Sequence, residues 1–151
     1  MGYLMRFLST DEREITLPMI EAALKQVDDA YSIANAEVSD LGDLMYGTTQ
    51  LAVIEINRPG EDIFEDDVAE FQDLVGGGAG TAETRVREVL ANVKAMVVVE
   101  AFWQGEESEA TLAKLDPLWD WLFAHYNGLS QADNEGFYDQ SGLILERSFT
   151  L

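Results

Sequence analysis

A faint internal echo constrains this chain more than any other feature of its sequence. The stretch Phe7-Leu8-Ser9-Thr10-Asp11-Glu12-Arg13-Glu14-Ile15-Thr16-Leu17 returns as Phe102-Trp103-Gln104-Gly105-Glu106-Glu107-Ser108-Glu109-Ala110-Thr111-Leu112. Phe, two Glu, Thr and Leu share one register, and Asp11 stands opposite Glu106. An apolar, strand-like run precedes each copy, and an amphipathic helix followed by further strand comes after each. Such self-similarity points to two halves built alike.

The local signals fill in those halves. Tyr3–Leu8 reads as a strand. Thr16 is placed to cap a helix whose first turn tolerates Pro18, and Leu17, Ile20, Leu24 and Val27 form its apolar stripe. Asp28-Asp29 ends it. Tyr31–Val38 is expected to be a strand, Ser39–Asp43 a turn, and Leu44–Asn57 to contain a strand at Leu51–Ile56 stopped by Arg58-Pro59-Gly60. Asp62 with Glu65 resembles a capping box, and Phe64, Val68, Phe71 and Val75 make a second helical stripe. The glycine run Gly76-Gly77-Gly78-Ala79-Gly80 breaks that helix, and Thr81 can cap the next, with Val86, Val89, Leu90 and Val93 on one face.

Ala95–Trp103 is too apolar for a solvated edge and is expected to be a central strand. Ser108 can start a helix that Asp116-Pro117 restarts or kinks and Tyr126-Asn127-Gly128 ends. Leu129–Ala132, Phe137–Asp139 and Leu143–Phe149 are short strands separated by turns. Tyr31 and Tyr126 keep their place in the echo. The expected fold is α+β: two β-α-β-β halves, at about 1–57 and 95–151, joined by a helical connector over 62–94. One domain spanning 1–151 would hold a mainly antiparallel sheet, with the helices packed on one face.

Charge decides which partners are excluded. The net charge is -20, the acids are spread along the whole chain, and Lys25, Lys94 and Lys114 are the only lysines. Replacing counterions on a nucleic acid needs clustered Lys and Arg, and nothing supplies them. Anionic membranes are disfavoured for the same reason. The chain has no cysteine, so disulfides, thiolate metal sites and cysteine nucleophiles are excluded. No apolar run is as long as a membrane span, since Glu100 interrupts the densest one. No signal peptide is expected at the N-terminus, and a cytoplasmic protein fits. An evenly acidic surface suits solubility; its sharper use would be to meet a basic partner.

Several segments imitate functional motifs and fail on position. With Gly136 at the sixth place of a calcium loop, the first ligand would be Gln131 and the twelfth Gly142, where a bidentate Glu is required. Asp133, Glu135 and Asp139 are therefore polar turn residues before they are cation ligands. The run at 76–80 follows a helix and brings no lysine, unlike a phosphate loop. His125 is the only histidine; no Gly-x-Ser-x-Gly elbow accompanies it, and its place at a helix end suits the helix dipole. One histidine and no cysteine argue against a transition-metal site, so neither metal nor cofactor is expected.

Two features remain as candidates. Glu100, and after it Glu55, interrupts an apolar strand; if Glu100 points inward it needs a cation, Arg6 or Arg58. On the helix after Pro117, at about 100° per residue, Leu115, Leu118, Trp119, Leu122 and Tyr126 share a broad face, while Trp121 falls roughly 120° from its centre. Trp121 then either wedges against a second layer or anchors an interface. The candidate binding surface is Trp119, Trp121, Asp133, Glu135 and Asp139, with Glu100 the candidate buried carboxylate. The reading these support is a non-enzymatic protein-binding or regulatory module, engaging a protein partner or a second copy as a homodimer. The alternatives are a small-molecule site between the two halves and a carboxylate-based enzyme.

Overall fold

The computed structural model describes residues 2–36, 40–103 and 108–147. Val38 and Ser39, Gln104–Glu107 of the second echo copy, and the end of the last expected strand lie outside them. The fold is α+β, with four helices and one eight-stranded antiparallel sheet in the order β2-β3-β4-β5-β1-β6-β7-β8. The strands are β1 (Gly2–Ser9), β2 (Tyr31–Ala34), β3 (Leu41–Tyr46), β4 (Thr49–Asn57), β5 (Ala95–Phe102), β6 (Gly128–Ala132), β7 (Gly136–Asp139) and β8 (Gly142–Glu146). The helices are α1 (Leu17–Val27), α2 (Asp62–Val75), α3 (Thr81–Ala91) and α4 (Ser108–His125). Among the described residues no helix is long and apolar enough to cross a membrane.

Most element ends have the expected chemistry. Thr16 caps α1 through its side-chain oxygen, which accepts from Met19 N at 3.3 Å, and Pro18 sits in the first turn where no intrahelical donor is needed. Gly76 closes α2 at φ 72°, a left-handed conformation that costs glycine least. The α2 start differs from the expected capping box: Glu61 is the cap residue without a side-chain cap bond, and Glu65 Oε2 instead accepts from Gly60 N at 3.2 Å. Gly80, not Thr81, stands before α3. Pro117 neither restarts nor splits α4, which runs through it. Leu115, Leu118 and Leu122 are fully buried on both sides of the proline, so packing outweighs the one lost backbone hydrogen bond.

The first half, expected as β-α-β-β, gains a strand, while the second holds the three short strands expected after its helix. Leu41–Asn57 is a hairpin rather than a turn and one strand, because Gly47 at φ 60° reverses the chain between β3 and β4. The element order β-α-β-β-β thus occurs twice, but the strand order does not repeat. The first meander enters at the sheet edge and arrives beside β5; the second starts beside β1 and leaves toward the opposite edge. β1 lies between β5 and β6, and β5 lies between β4 and β1. The halves are interlocked through their first strands rather than set side by side.

Helices cover both faces, not one. On the first face α1 and α4 pack Leu17, Ile20, Leu24, Leu115, Leu118 and Leu122 against Phe7, Ile54, Val97 and Val99. On the second, α2 and α3 pack Phe64, Phe71, Val86 and Leu90 against Leu8, Met96, Leu129, Phe137 and Leu145. The central strands are apolar on both sides, so a single helical layer would leave one side wet. The first layer gathers the β2 side of the sheet and the second the β8 side, so each face keeps an open flank. Those two flanks hold the cavities considered below.

Candidate functional site

The open flank of the first face lies beside α4. Antiparallel pairing sets Met5 opposite Ala132, Phe7 opposite Ser130, and Ser130 opposite Tyr138, and opposed residues share a face. α4 overhangs this floor with Trp119 and Phe123, four residues apart and so on one side of the helix. Phe123 meets Phe7 edge to face at 5.2 Å between ring centres. Between them opens a groove of about 310 Å³, walled by Trp119, Phe123 and Tyr138 and bearing Asp116, Glu135 and Asp139. A second hollow, of about 490 Å³, shares Phe123 and Asp139 with it and continues past Tyr126 and Gln140.

Glycine makes the floor possible at two points. A Cβ on Gly128 would stand 2.1 Å from Leu8 O, so only glycine lets β6 start against β1 there. Gly136 has φ 139°, and a Cβ there would meet Leu145 O at 2.1 Å. The turn before it, with Asn134 at φ 68°, swings Glu135 over to the groove side.

The acids of the groove differ in state. Glu135 accepts hydrogen bonds from the phenols of Tyr3 and Tyr138. Burial, and then that bond to Glu135, pushes the Tyr138 hydroxyl up to about 12, so it remains a donor. Asp139 accepts from Ser141 Oγ at 2.5 Å, Arg85 Nη1 at 2.7 Å and Ser141 N at 2.8 Å. Those bonds draw its carboxyl down to about 2. Asp116 is the contrast: burial first, and the neighbouring Asp120 second, raise its carboxyl above the ordinary value. Neither Asp116 nor Asp120 has a salt-bridge partner among the described residues.

Of the residues singled out in the sequence, Trp119, Glu135 and Asp139 meet in this groove. Trp121 does not. Two residues from Trp119 it faces another way, with its ring centre 5.6 Å from a tilted His125 ring and 5.6 Å from an edge-on Tyr126 ring, half-buried against the first core. Asp133 belongs to the second face, where it accepts from Arg6 Nη1 at 3.0 Å and Gln131 Nε2 at 2.9 Å. Arg6 is 7 % exposed and also donates to Asp67 at 3.1 Å and Gln131 at 2.9 Å, with its guanidinium 5.1 Å from the Phe71 ring centre.

Glu100 is half-buried and lines a separate cavity of about 240 Å³ on the second face, with Glu55, Asn57 and Arg6. Neither arginine considered as its partner pairs with it. Arg6 is engaged as above, and Arg58 bonds Asp40 and the Ile15 carbonyl.

Sequence reasoning missed Asp116, Phe123 and Tyr138 as groove residues. The i, i+4 spacing of Trp119 and Phe123, and of Asp116 and Asp120, was the signal available. Tyr138 could be assigned only once β6 and β7 were paired. No group of three His, Cys, Asp or Glu suited to a metal ion occurs among the described residues. In comparisons with known proteins, no family model matches the chain, and neither a curated protein nor a solved structure matches it.

Proposed function

We propose that this protein is a non-enzymatic binding module whose groove between α4 and the β6–β7 hairpin receives a basic segment of another protein. The observation that carries this reading is Asp116, a carboxylate with no basic partner among the described residues, set beside Trp119, Phe123 and Tyr138. A lysine or arginine side chain suits such a place. Its aliphatic stem lies along the aromatic wall, its charge meets Asp116 and Asp120, and ring faces attract the cation further.

Partial desolvation, and then Asp120, hold the carboxyl of Asp116 above its ordinary value although the side chain is exposed to solvent. An incoming cation offsets the repulsion between Asp116 and Asp120, which an apolar guest cannot do, so the site favours a charged guest. The second hollow continues the groove past Phe123 and Asp139, which gives a peptide, rather than a single side chain, room to lie. A second copy fits less well as occupant, since two chains of net charge -20 repel each other.

The test is amide chemical-shift mapping with an arginine- and lysine-rich decapeptide, and with an acidic peptide of equal length as control. Shifts should concentrate on the second half of α4 and on β6–β7, and the affinity should fall with added salt. Trp119→Ala combined with Asp116→Asn should weaken binding by about tenfold or more, the scale of losing a hot-spot aromatic and a charge contact, while Trp121→Phe leaves it unchanged. Shifts scattered over the whole acidic surface, or an undiminished affinity in the double variant, would sink the proposal.

A further inference from the structure

The second open flank has a different chemistry. The sheet register sets Glu55 opposite Val98 and Val98 opposite Arg6, so these three form one row across β4, β5 and β1. Glu100 lies one row away on β5, between Val53 and Leu4, and Asn57 lies one row away on β4. The cavity of about 240 Å³ is therefore floored by Val98 with Val53 and Leu4 beside it, bears Glu55, Glu100, Asn57 and Arg6, and is roofed by Ile63 and Asp67 of α2.

Two features of this cavity are unresolved within the chain. Asn57 is 2 % exposed, and its Nδ2 has no hydrogen-bond partner among the described residues. A buried amide donor left unpaired costs about 1–3 kcal/mol, and such a group calls for an explanation. Glu55 and Glu100 both line the cavity with no salt-bridge partner among the described residues, while the one cation among the described lining residues, Arg6, is held by Asp67 and Asp133. The lining therefore lacks an acceptor at Asn57 and a positive charge near the two glutamates.

We infer that this cavity binds a small primary amine carrying a neutral hydrogen-bond acceptor two or three bonds away, the chemistry of an amino amide or an amino alcohol. The ammonium group sits between Glu55 and Glu100, and the acceptor takes the Asn57 Nδ2 hydrogen. A small apolar body rests on Val98 under Ile63. A ligand carboxylate is disfavoured, because Arg6 already has two carboxylate partners and the other charged residues of the lining, Glu55, Asp67 and Glu100, are acidic. This site lies on the opposite face of the sheet from the aromatic groove and does not depend on it.

Calorimetric titration of the full chain with leucinamide tests the inference. The controls are 3-methylbutylamine, which lacks the acceptor, 4-methylpentanamide, which lacks the amine, and leucine, which carries a carboxylate. Leucinamide should bind at least about tenfold more tightly than each control, the scale of one charge-assisted hydrogen bond. Glu100→Gln should weaken leucinamide binding by about tenfold or more on the same scale. Ile63→Trp, a change at a surface position 51 % exposed, should abolish binding by filling the mouth without threatening the core. Trp119→Ala should leave it unchanged. Absence of leucinamide binding at millimolar concentration, leucine binding as tightly as leucinamide, or full affinity in Glu100→Gln would each overturn it.

Discussion

Glu55 illustrates how a single side chain on a strand acquires a character its sequence neighbours do not reveal. Burial, then Glu61 and Asp67, raise its carboxyl above the ordinary 4.5. A carboxyl raised in the folded state favours folding below its unfolded value and loses that contribution as pH rises through the folded value. Glu55→Gln should therefore raise stability at pH 7, with the gain disappearing once the pH is well below 4.5. Urea denaturation of both proteins at pH 7 and pH 3 checks this, and a gain that persists at pH 3 would mean that packing, not charge, is responsible. The sequence marked Glu55 and Glu100 correctly as charges interrupting apolar strands. That Asn57 shares their cavity, its Nδ2 without a partner among the described residues, follows only from the β4–β5 register and the approach of α2.

Two helices on the same face are tied to each other by tyrosines that occupy equivalent places in the echo. Tyr31, following α1, donates to the Lys114 carbonyl of α4 at 2.7 Å. Tyr126, following α4, donates to the Glu14 carbonyl just before α1 at 2.9 Å. Both rings are almost wholly buried, and burial raises both hydroxyls above their ordinary value, which holds them as donors. Tyr31→Phe and Tyr126→Phe should each cost about 1 kcal/mol, from one lost hydrogen bond and one carbonyl left unpaired. Because the two ties involve no shared residue, their effects should add within about 0.5 kcal/mol in a double-mutant cycle of chemical denaturation. A marked non-additivity would show that α1 and α4 dock as one cooperative unit. The element types were legible in periodicity and caps; Pro117 was not, because only the buried leucines on either side of it keep α4 continuous.

At the scale of the molecule, the interlocking of β1 and β5 governs what can fold alone. Residues 1–57 without β5 would leave β1 and β4 with no strand between them, and residues 95–151 without β1 would leave β5 apart from β6. Each fragment should be unfolded by circular dichroism and amide exchange. A folded, monomeric fragment would contradict the sheet order. The same wiring explains why one layer of helices is insufficient: a central pair buried on both faces demands two. The offset of those layers leaves one flank aromatic and acidic and the other a small cavity with two glutamates over an apolar floor.

By itself the sequence determined the α+β class, the place of most helices and strands, and a strongly acidic composition. Those properties are local or compositional, written in residue spacing, caps and net charge. Tertiary structure alone decided the rest: which strand lies beside which, that helices cover both faces, that Trp119 meets Glu135 and Asp139 while Trp121 and Asp133 turn away, and that Asn57 Nδ2 has no partner among the described residues. Each of these depends on contacts between residues far apart in the chain. Side-chain periodicity fixes which face a residue takes within its own strand, but not what another strand or helix brings to that face.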